Sequence, residues 1–260
     1  MFQRRNRLAI IDGDMTKEIR IVGDLHGDLQ AFRNAVAGLG SNDIVVFLGD
    51  YADRGLDGLE VIEELIALIA RHPDRVVALK GNHEDYGADG EPKFHPCTLK
   101  EEVINKRGNW QEFFSGFRKF SDSLFYAAII PGYALLLHGG ISESIQSVEH
   151  LSTPSAEIIN SILWSDPGEG TGSKPNPRGA GTVFGSDVTA KTLDGLELKY
   201  LIRGHQPARA WDGPCFDHEA RVITTSGTAM YGGMPFMLTL DTDNLPDSIE
   251  GFRSSVQNIS

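Results

Sequence analysis

Five short motifs carry most of the residues in this chain that could do chemistry. They are Gly23-Asp24-Leu25-His26-Gly27, Gly49-Asp50-Tyr51-Ala52-Asp53-Arg54-Gly55, Gly81-Asn82-His83-Glu84, His138-Gly139-Gly140 and Arg203-Gly204-His205. Asp, His and an Asn carbonyl are ligands suited to divalent transition metals of intermediate hardness. There are more of them than one ion needs. The adjacent glycines let the backbone turn so that each side chain faces a shared cleft. A single Gly-Asp or a single His after a strand is an ordinary turn or surface feature. Five such pieces in order are not.

Something must hold these motifs at one place, and an apolar run precedes each of them. Residues 19–22 lead into Gly23-Asp24, 44–48 into Gly49-Asp50, and 75–79 into Lys80-Gly81-Asn82-His83. Residues 133–137 lead into His138, and 199–202 into Arg203-Gly204-His205. Runs of this length suit strands buried on both faces of a layered sheet. Further strands are expected at 221–225 and 236–240. Residues 29–39 and 59–70 carry apolar side chains at helical spacing between the early strands, which reads as βαβ units. Ligands in such layouts bind beyond the carboxyl ends of the strands, where the motifs stand.

The stretch 97–121 is expected to be helical, with Trp110, Phe113, Phe114, Phe117 and Phe120 on one packed face. Residues 165–181 hold five Gly and three Pro and read as a long loop, functional or mobile. Residues 241–260 are mostly polar and read as a short tail. No repeat or linker divides the chain, so one domain over 1–260 is expected, of mixed α/β class.

Lys plus Arg number 24 against 36 Asp plus Glu, a formal net charge of −12. That argues against a nucleic-acid partner, which needs a basic surface, and against a polybasic membrane anchor. Hydrophobic residues make up 40%, enough for a sizeable core. The first residues, MFQRRNRLAIIDGD, lack the apolar run of a secretory leader, and no run is long enough to span a membrane. A soluble, cytoplasmic protein is expected. Cys97 and Cys215 are too few for a disulfide framework and read as free thiols. His72, His95, His150 and His218 match no motif and read as local hydrogen-bonding residues.

Together the motifs resemble the PPP family of serine/threonine phosphoprotein phosphatases, which includes calcineurin. The resemblance runs from about residue 19 to about 233. Beyond motifs shared by the wider metallophosphoesterase superfamily, it includes Ile162-Leu163-Trp164-Ser165-Asp166-Pro167, Asn176-Pro177-Arg178-Gly179 and Tyr231-Gly232. The implied fold is a four-layer α/β/β/α sandwich with metal ligands at strand C-terminal ends. The implied cofactor is a pair of divalent ions, Mn first, with Fe or Zn as alternatives. Asp24 and His26 would bind the first metal, Asp50 would bridge, and Asn82, His138 and His205 would complete the second. The resemblance makes His83 the general acid and Asp53 its carboxylate partner. It makes Arg54 and Arg178 phosphate clamps, with Asn82 and Tyr231 also near the phosphate.

The implied activity is hydrolysis of phosphate monoesters on phosphoserine or phosphothreonine of a protein or peptide. Metal-bound water would attack directly, with no phosphoenzyme. These residue types suit that chemistry: two metals clamp the attacking and leaving oxygens, arginine forks bind phosphate, and a basic alkoxide needs a proton donor. The nearest alternative is a symmetrical diadenosine tetraphosphatase, or another phosphodiesterase of the same superfamily. The two segments containing Trp164 and Arg178 favour the first reading. A catalytically dead binding module would not need to keep every ligand type together with His83 and both arginines. The stretch 224–233 departs from the family pattern, with Gly232 where a Cys is usual.

Overall fold

A computed structural model describes residues 1–260 in full. In chain order the first elements are β1 (Phe2–Arg5), β2 (Leu8–Ile11), β3 (Glu18–Val22), α1 (Leu29–Val36), β4 (Asp43–Phe47), α2 (Gly58–Arg71) and β5 (Val76–Ala78). Then come α3 (Leu99–Arg107), α4 (Trp110–Ser123), β6 (Ala127–Ile130), β7 (Ala134–Leu137), α5 (Val148–Ser152) and α6 (Ala156–Trp164). The remainder is β8 (Asp166–Pro167), β9 (Ser173–Pro175), β10 (Thr182–Phe184), α7 (Ser186–Gly195), β11 (Tyr200–Arg203), β12 (Cys215–Asp217), β13 (Val222–Thr224), β14 (Phe236–Asp241), α8 (Ile249–Ser254) and β15 (Val256–Asn258).

These strands form a seven-stranded sheet (β1-β2-β6-β7-β11-β13-β12), a five-stranded sheet (β15-β14-β3-β4-β5) and a small sheet (β8-β10-β9). Side-chain alternation along each strand stacks the two large sheets. Ile19 and Ile21 of β3, Ile44 and Val46 of β4, and Leu238 of β14 meet Ala128, Leu136, Ile202 and Ile223 of the other sheet. The opposite faces bury Val22, Val45 and Phe47 under α1–α4, and Leu135, Leu137 and Leu201 under α6 and α7. Helix, sheet, sheet, helix: the four-layer expectation is met, and β3, β4 and β5 run parallel as the βαβ pattern requires.

Three expectations need correction. The helical stretch 97–121 is two helices, because Gly108 takes a left-handed conformation (φ 80°) that ends α3. Asn109 then starts α4 by accepting the N–H groups of Gln111 and Glu112. The loop at 165–181 contains β8 and β9, which pair with β10 despite the glycines. The tail at 241–260 is built into the fold: Phe252 and Ile259 are buried, and β15 pairs antiparallel with β14. Strands β1, β2 and β6 had no sequence expectation. No helix is long and apolar enough to cross a membrane. Both cysteines are free.

Candidate active site

Residues from five strand ends meet between the tops of the two large sheets. Their backbone is unusual. His26, Asp50, Asp53, Arg54 and His205 all have positive φ, between 46° and 72°. Non-glycine residues avoid this region, and such outliers concentrate at functional sites. The glycines provide the clearance: a Cβ at Gly204 would lie 2.2 Å from Asp24 Oδ1, and one at Gly81 would lie 2.2 Å from Asp50 Oδ1.

Asp50 lies at the centre of the cluster. Its Oδ2 is 3.7 Å from His26 Nε2, and its Oδ1 is 3.4 Å from His138 Nε2. One carboxylate thus faces two groups of ligand atoms. On one side are His26 and Asp24, whose Oδ2 is 3.8 Å from His26 Nε2. On the other, Asn82 Oδ1 lies 3.0 Å from His138 Nε2 and 2.9 Å from His205 Nδ1. His26 and His138 hold their Nδ1 atoms against the carbonyl oxygens of Ala52 and Leu48, both at 3.0 Å. That selects the tautomer in which Nε2 offers its lone pair inward.

The donors fit divalent cations. Asp24 Oδ2 is buried and has no hydrogen-bond partner. Burial raises the Asp24 carboxyl to about 7, and raises Asp50 well above its usual range with help from the Asp24 and Glu84 charges. Burial, then the neighbouring His83, lowers His26 to about 3. Converging carboxylates and neutral imidazoles in a dry site are what a bound cation stabilises. Two groups of three have metal-binding geometry: Asp50 with His138 and His205, and His26 with Asp50 and His83. The second contains His83 where the sequence suggested Asp24. Asp24 Oδ2, buried without a partner 3.8 Å from His26 Nε2, is a further donor on that side, and the bond of His83 Nδ1 to Asp53 Oδ2 at 2.7 Å does not by itself separate a ligand from a proton donor.

His83 and Asp53 form a buried pair at the edge of this cluster. Asp53 Oδ1 accepts the N–H groups of Thr98 at 2.6 Å and Leu99 at 2.8 Å, at the start of α3. Burial pushes the Asp53 carboxyl up, but its bonds to His83, Leu99 and Thr98 outweigh this and leave it below its usual value. Arg54 is exposed and makes no side-chain bond. Arg178 is also exposed, with Nη1 2.8 Å from His205 Nε2 and 3.4 Å from Asp166 Oδ2. The Tyr231 hydroxyl is 3.5 Å from His26 Nε2.

The geometry thus brings Asp24, His26, Asp50, Asn82, His138 and His205 together, with His83, Asp53, Arg178 and Tyr231 bonded to or beside them, while Arg54 follows Asp53 with no side-chain bond to the cluster. The supporting roles of two motif residues were not read from the sequence. Glu84 accepts the N–H groups of Asp50, Tyr51 and Gly81 at 2.9–3.0 Å, fastening the loops after β4 and β5 to each other. Asp166 binds Arg203 Nη2 at 2.9 Å and Asn176 Nδ2 at 2.8 Å, and so anchors the Arg178 loop to the strand before His205. A charged Arg203 closing an apolar strand was the visible signal for that pair. His150 makes a local bond to the Gln146 N–H, as expected, whereas His218 bonds the Thr189 hydroxyl and the Gly168 carbonyl of distant segments rather than local groups.

A family model for calcineurin-like phosphoesterases matches residues 18–209, the span holding all five motifs. The chain belongs to the calcineurin-like phosphoesterase family. Among curated proteins, this phosphoesterase is 32% identical over 241 residues to a serine/threonine-protein phosphatase of Caenorhabditis elegans. The match covers 89% of the chain and 51% of that protein, so the chain spans about half the length of this relative. A solved protein serine/threonine phosphatase of Saccharomyces cerevisiae, described as similar to human phosphatase PP5, aligns with TM-score 0.80 and 23% identity. That alignment covers 97% of this chain and 82% of the yeast one. A cold-active protein-tyrosine phosphatase of a psychrophilic Shewanella species aligns with TM-score 0.62 and 15% identity, over 99% and 83% of the two chains. The two structures agree with the fold; the sequence matches carry the family.

Proposed function

We propose that this phosphoesterase removes phosphate from phosphoserine and phosphothreonine of proteins, as one catalytic domain working in the cytoplasm. The observation that carries the reading is the buried His83–Asp53 pair, 2.7 Å apart, beside a metal-ligand cluster and directly followed by the unpaired Arg54. A proton donor matters most when the leaving group is a basic alkoxide. Support for protein substrates comes from the name of the curated relative and from the Asp166–Asn176–Arg178 loop.

Asp24, His26 and Asp50 would hold one divalent cation, Mn by preference, and Asp50, Asn82, His138 and His205 the other. Such a pair lowers the pKa of water toward neutrality and adds positive charge where the phosphoryl group gains negative charge. The remaining work belongs to the chain. Arg54 and Arg178 bind phosphoryl oxygens through charge-assisted bonds. Arg178 keeps donors in reserve, because a guanidinium has five N–H groups. Asn82 and Tyr231 border the same space. His83 gives its proton to the departing serine or threonine oxygen. Asp53, fixed by Thr98 and Leu99, holds Nδ1–H and stabilises the protonated ring.

The test is one panel. Purified protein with Mn²⁺ is assayed on phosphoserine, phosphothreonine and phosphotyrosine peptides and on diadenosine tetraphosphate. The highest kcat/KM is expected on the first two. A clear preference for the dinucleotide would overturn the reading in favour of a diadenosine tetraphosphatase.

A further inference from the structure

Four large apolar side chains gather in solvent at the mouth of the cleft. Trp211 is 59% exposed, Met234 52%, Met230 44% and Tyr231 39%. They stand on two loops, one after β11 and His205, the other after β13. The loops are joined: Met234 N–H donates to the Trp211 carbonyl at 3.0 Å. Gly233 packs so closely that a Cβ there would lie 2.6 Å from Trp211 Cα. The second loop is also continuous with the ligand cluster. Gly227 N–H donates to the Asp24 carbonyl at 3.1 Å, Ala229 N–H donates to Asp28 at 3.0 Å, and Tyr231 reaches His26.

Nothing in the proposed chemistry uses Trp211, Met230 or Met234. Folding does not account for their exposure either, since burial would have favoured each by about 1.5–3 kcal/mol for a side chain of this size. On the Arg54 side of the cleft, exposed Leu56 stands among Asp57, Glu101 and Lys106, a polar rim. The two rims therefore differ in character.

We propose that Trp211, Met230 and Met234 form a docking surface for apolar side chains flanking the phosphorylated residue of a polypeptide substrate. This rests on the phosphoprotein reading above and names which phosphoproteins the site selects. With the phosphate between Arg54, Arg178 and the ligand cluster, the neighbouring residues must leave over the rim. An extended chain advances about 3.3 Å per residue, so an apolar residue within the next few positions meets the surface that begins at Tyr231. Tryptophan and methionine suit this use: both are enriched at interfaces, and methionine adapts to side chains of different shape.

Two phosphoserine peptides decide it, one with leucines on both sides of the phosphoserine and one with glycines and serines there. Each is assayed with wild type and with Trp211→Ala/Met234→Ala, alongside p-nitrophenyl phosphate. Wild type is expected to prefer the leucine peptide by about tenfold, expressed in KM, the low end of discrimination by hydrophobic contact. The double variant is expected to lose that preference, keep its kcat, and hydrolyse p-nitrophenyl phosphate like wild type. Trp211→Phe is expected to restore most of the preference. Equal KM for the two peptides in wild type overturns the proposal, as does an equal fall on p-nitrophenyl phosphate. A concentration-dependent dimer that Trp211→Ala disperses would assign the surface to a second copy and overturn it too. Wild type active on p-nitrophenyl phosphate but on neither peptide would reject the phosphoprotein reading itself, a result visible before any variant is made.

Discussion

Asp53→Asn separates the proton donor from the rest of the site. Asp53 Oδ1 is held by the N–H groups of Thr98 and Leu99, so the asparagine carbonyl oxygen takes that position and the amide faces His83. The substitution removes one negative charge and the 2.7 Å bond to His83 Nδ1 while leaving the loop in place. A hydrogen bond to a charged group is worth about 1.5–3 kcal/mol. At about 1.36 kcal/mol per decade of rate, the expected loss in kcat/KM on a phosphoserine peptide is roughly 10–150-fold. His83→Asn removes the donor itself and is expected to lose about 10²–10⁴-fold. A p-nitrophenolate leaves with little protonation, so both variants lose distinctly less on p-nitrophenyl phosphate. The assay is log kcat/KM against leaving-group pKa over a series of phosphate monoesters. Wild type should give the shallower line and His83→Asn the steeper. Parallel lines would refute the assignment of the proton to His83. Metal content should stay at the wild-type level in both variants. Its loss in His83→Asn would place that histidine among the ligands.

Three further outcomes are expected. Asp50→Asn should lose most bound metal by elemental analysis, because its two oxygens face both ligand groups; full occupancy of two ions would remove the bridging role. Metal affinity should weaken as pH falls, because Asp24, raised to about 7, and Asp50, held well above its usual range by burial and neighbouring charge, take up protons that a cation must displace. Below about pH 7 the Kd for Mn²⁺ should rise about tenfold per pH unit for each proton displaced, and a flat Kd between pH 8 and 6 by titration calorimetry would contradict this. Arg54→Ala and Arg178→Ala should each weaken inhibition by inorganic phosphate by about 1.5–3 kcal/mol while retaining metal, and an unchanged inhibition constant for Arg178→Ala would return it to a solvated loop.

The site was more legible in the sequence than the frame around it. Each motif follows an apolar run, and the chemistry of Asp, His and Asn is written in the residue types. The stacking of the two sheets was not readable from pattern alone, because it depends on pairings such as β11 with β7 and β14 with β3, which join distant segments. The family resemblance provided it instead. β1 was missed because only Phe2 of Phe2–Arg5 is apolar, and the strand lies at a sheet edge with Gln3, Arg4 and Arg5 in solvent. The polar C-terminal residues hid β15, whose stability comes from pairing with β14 and from buried Phe252 and Ile259 rather than from local hydrophobicity. Glu84 and Asp166 could be read as motif letters, but their partners are backbone groups and side chains from other elements, which no spacing rule reveals.

The position of β14 also bears on how the protein is made. β3, which delivers Asp24, is bordered on one side by β4 and on the other by β14, paired from Met237–Val22 to Asp241–Glu18. More than 200 residues separate β3 from β14. At ribosomal rates of about 5–20 residues per second, β3 emerges roughly 10–40 s before the strand that completes it. Throughout that interval the nascent sheet has an open edge at its first catalytic strand, a template for pairing with other chains. The bridge between Asp24 and Ser226 forms equally late. The first ligand of the cluster is thus among the last to be fixed, and the cleft is complete only after β14 has emerged.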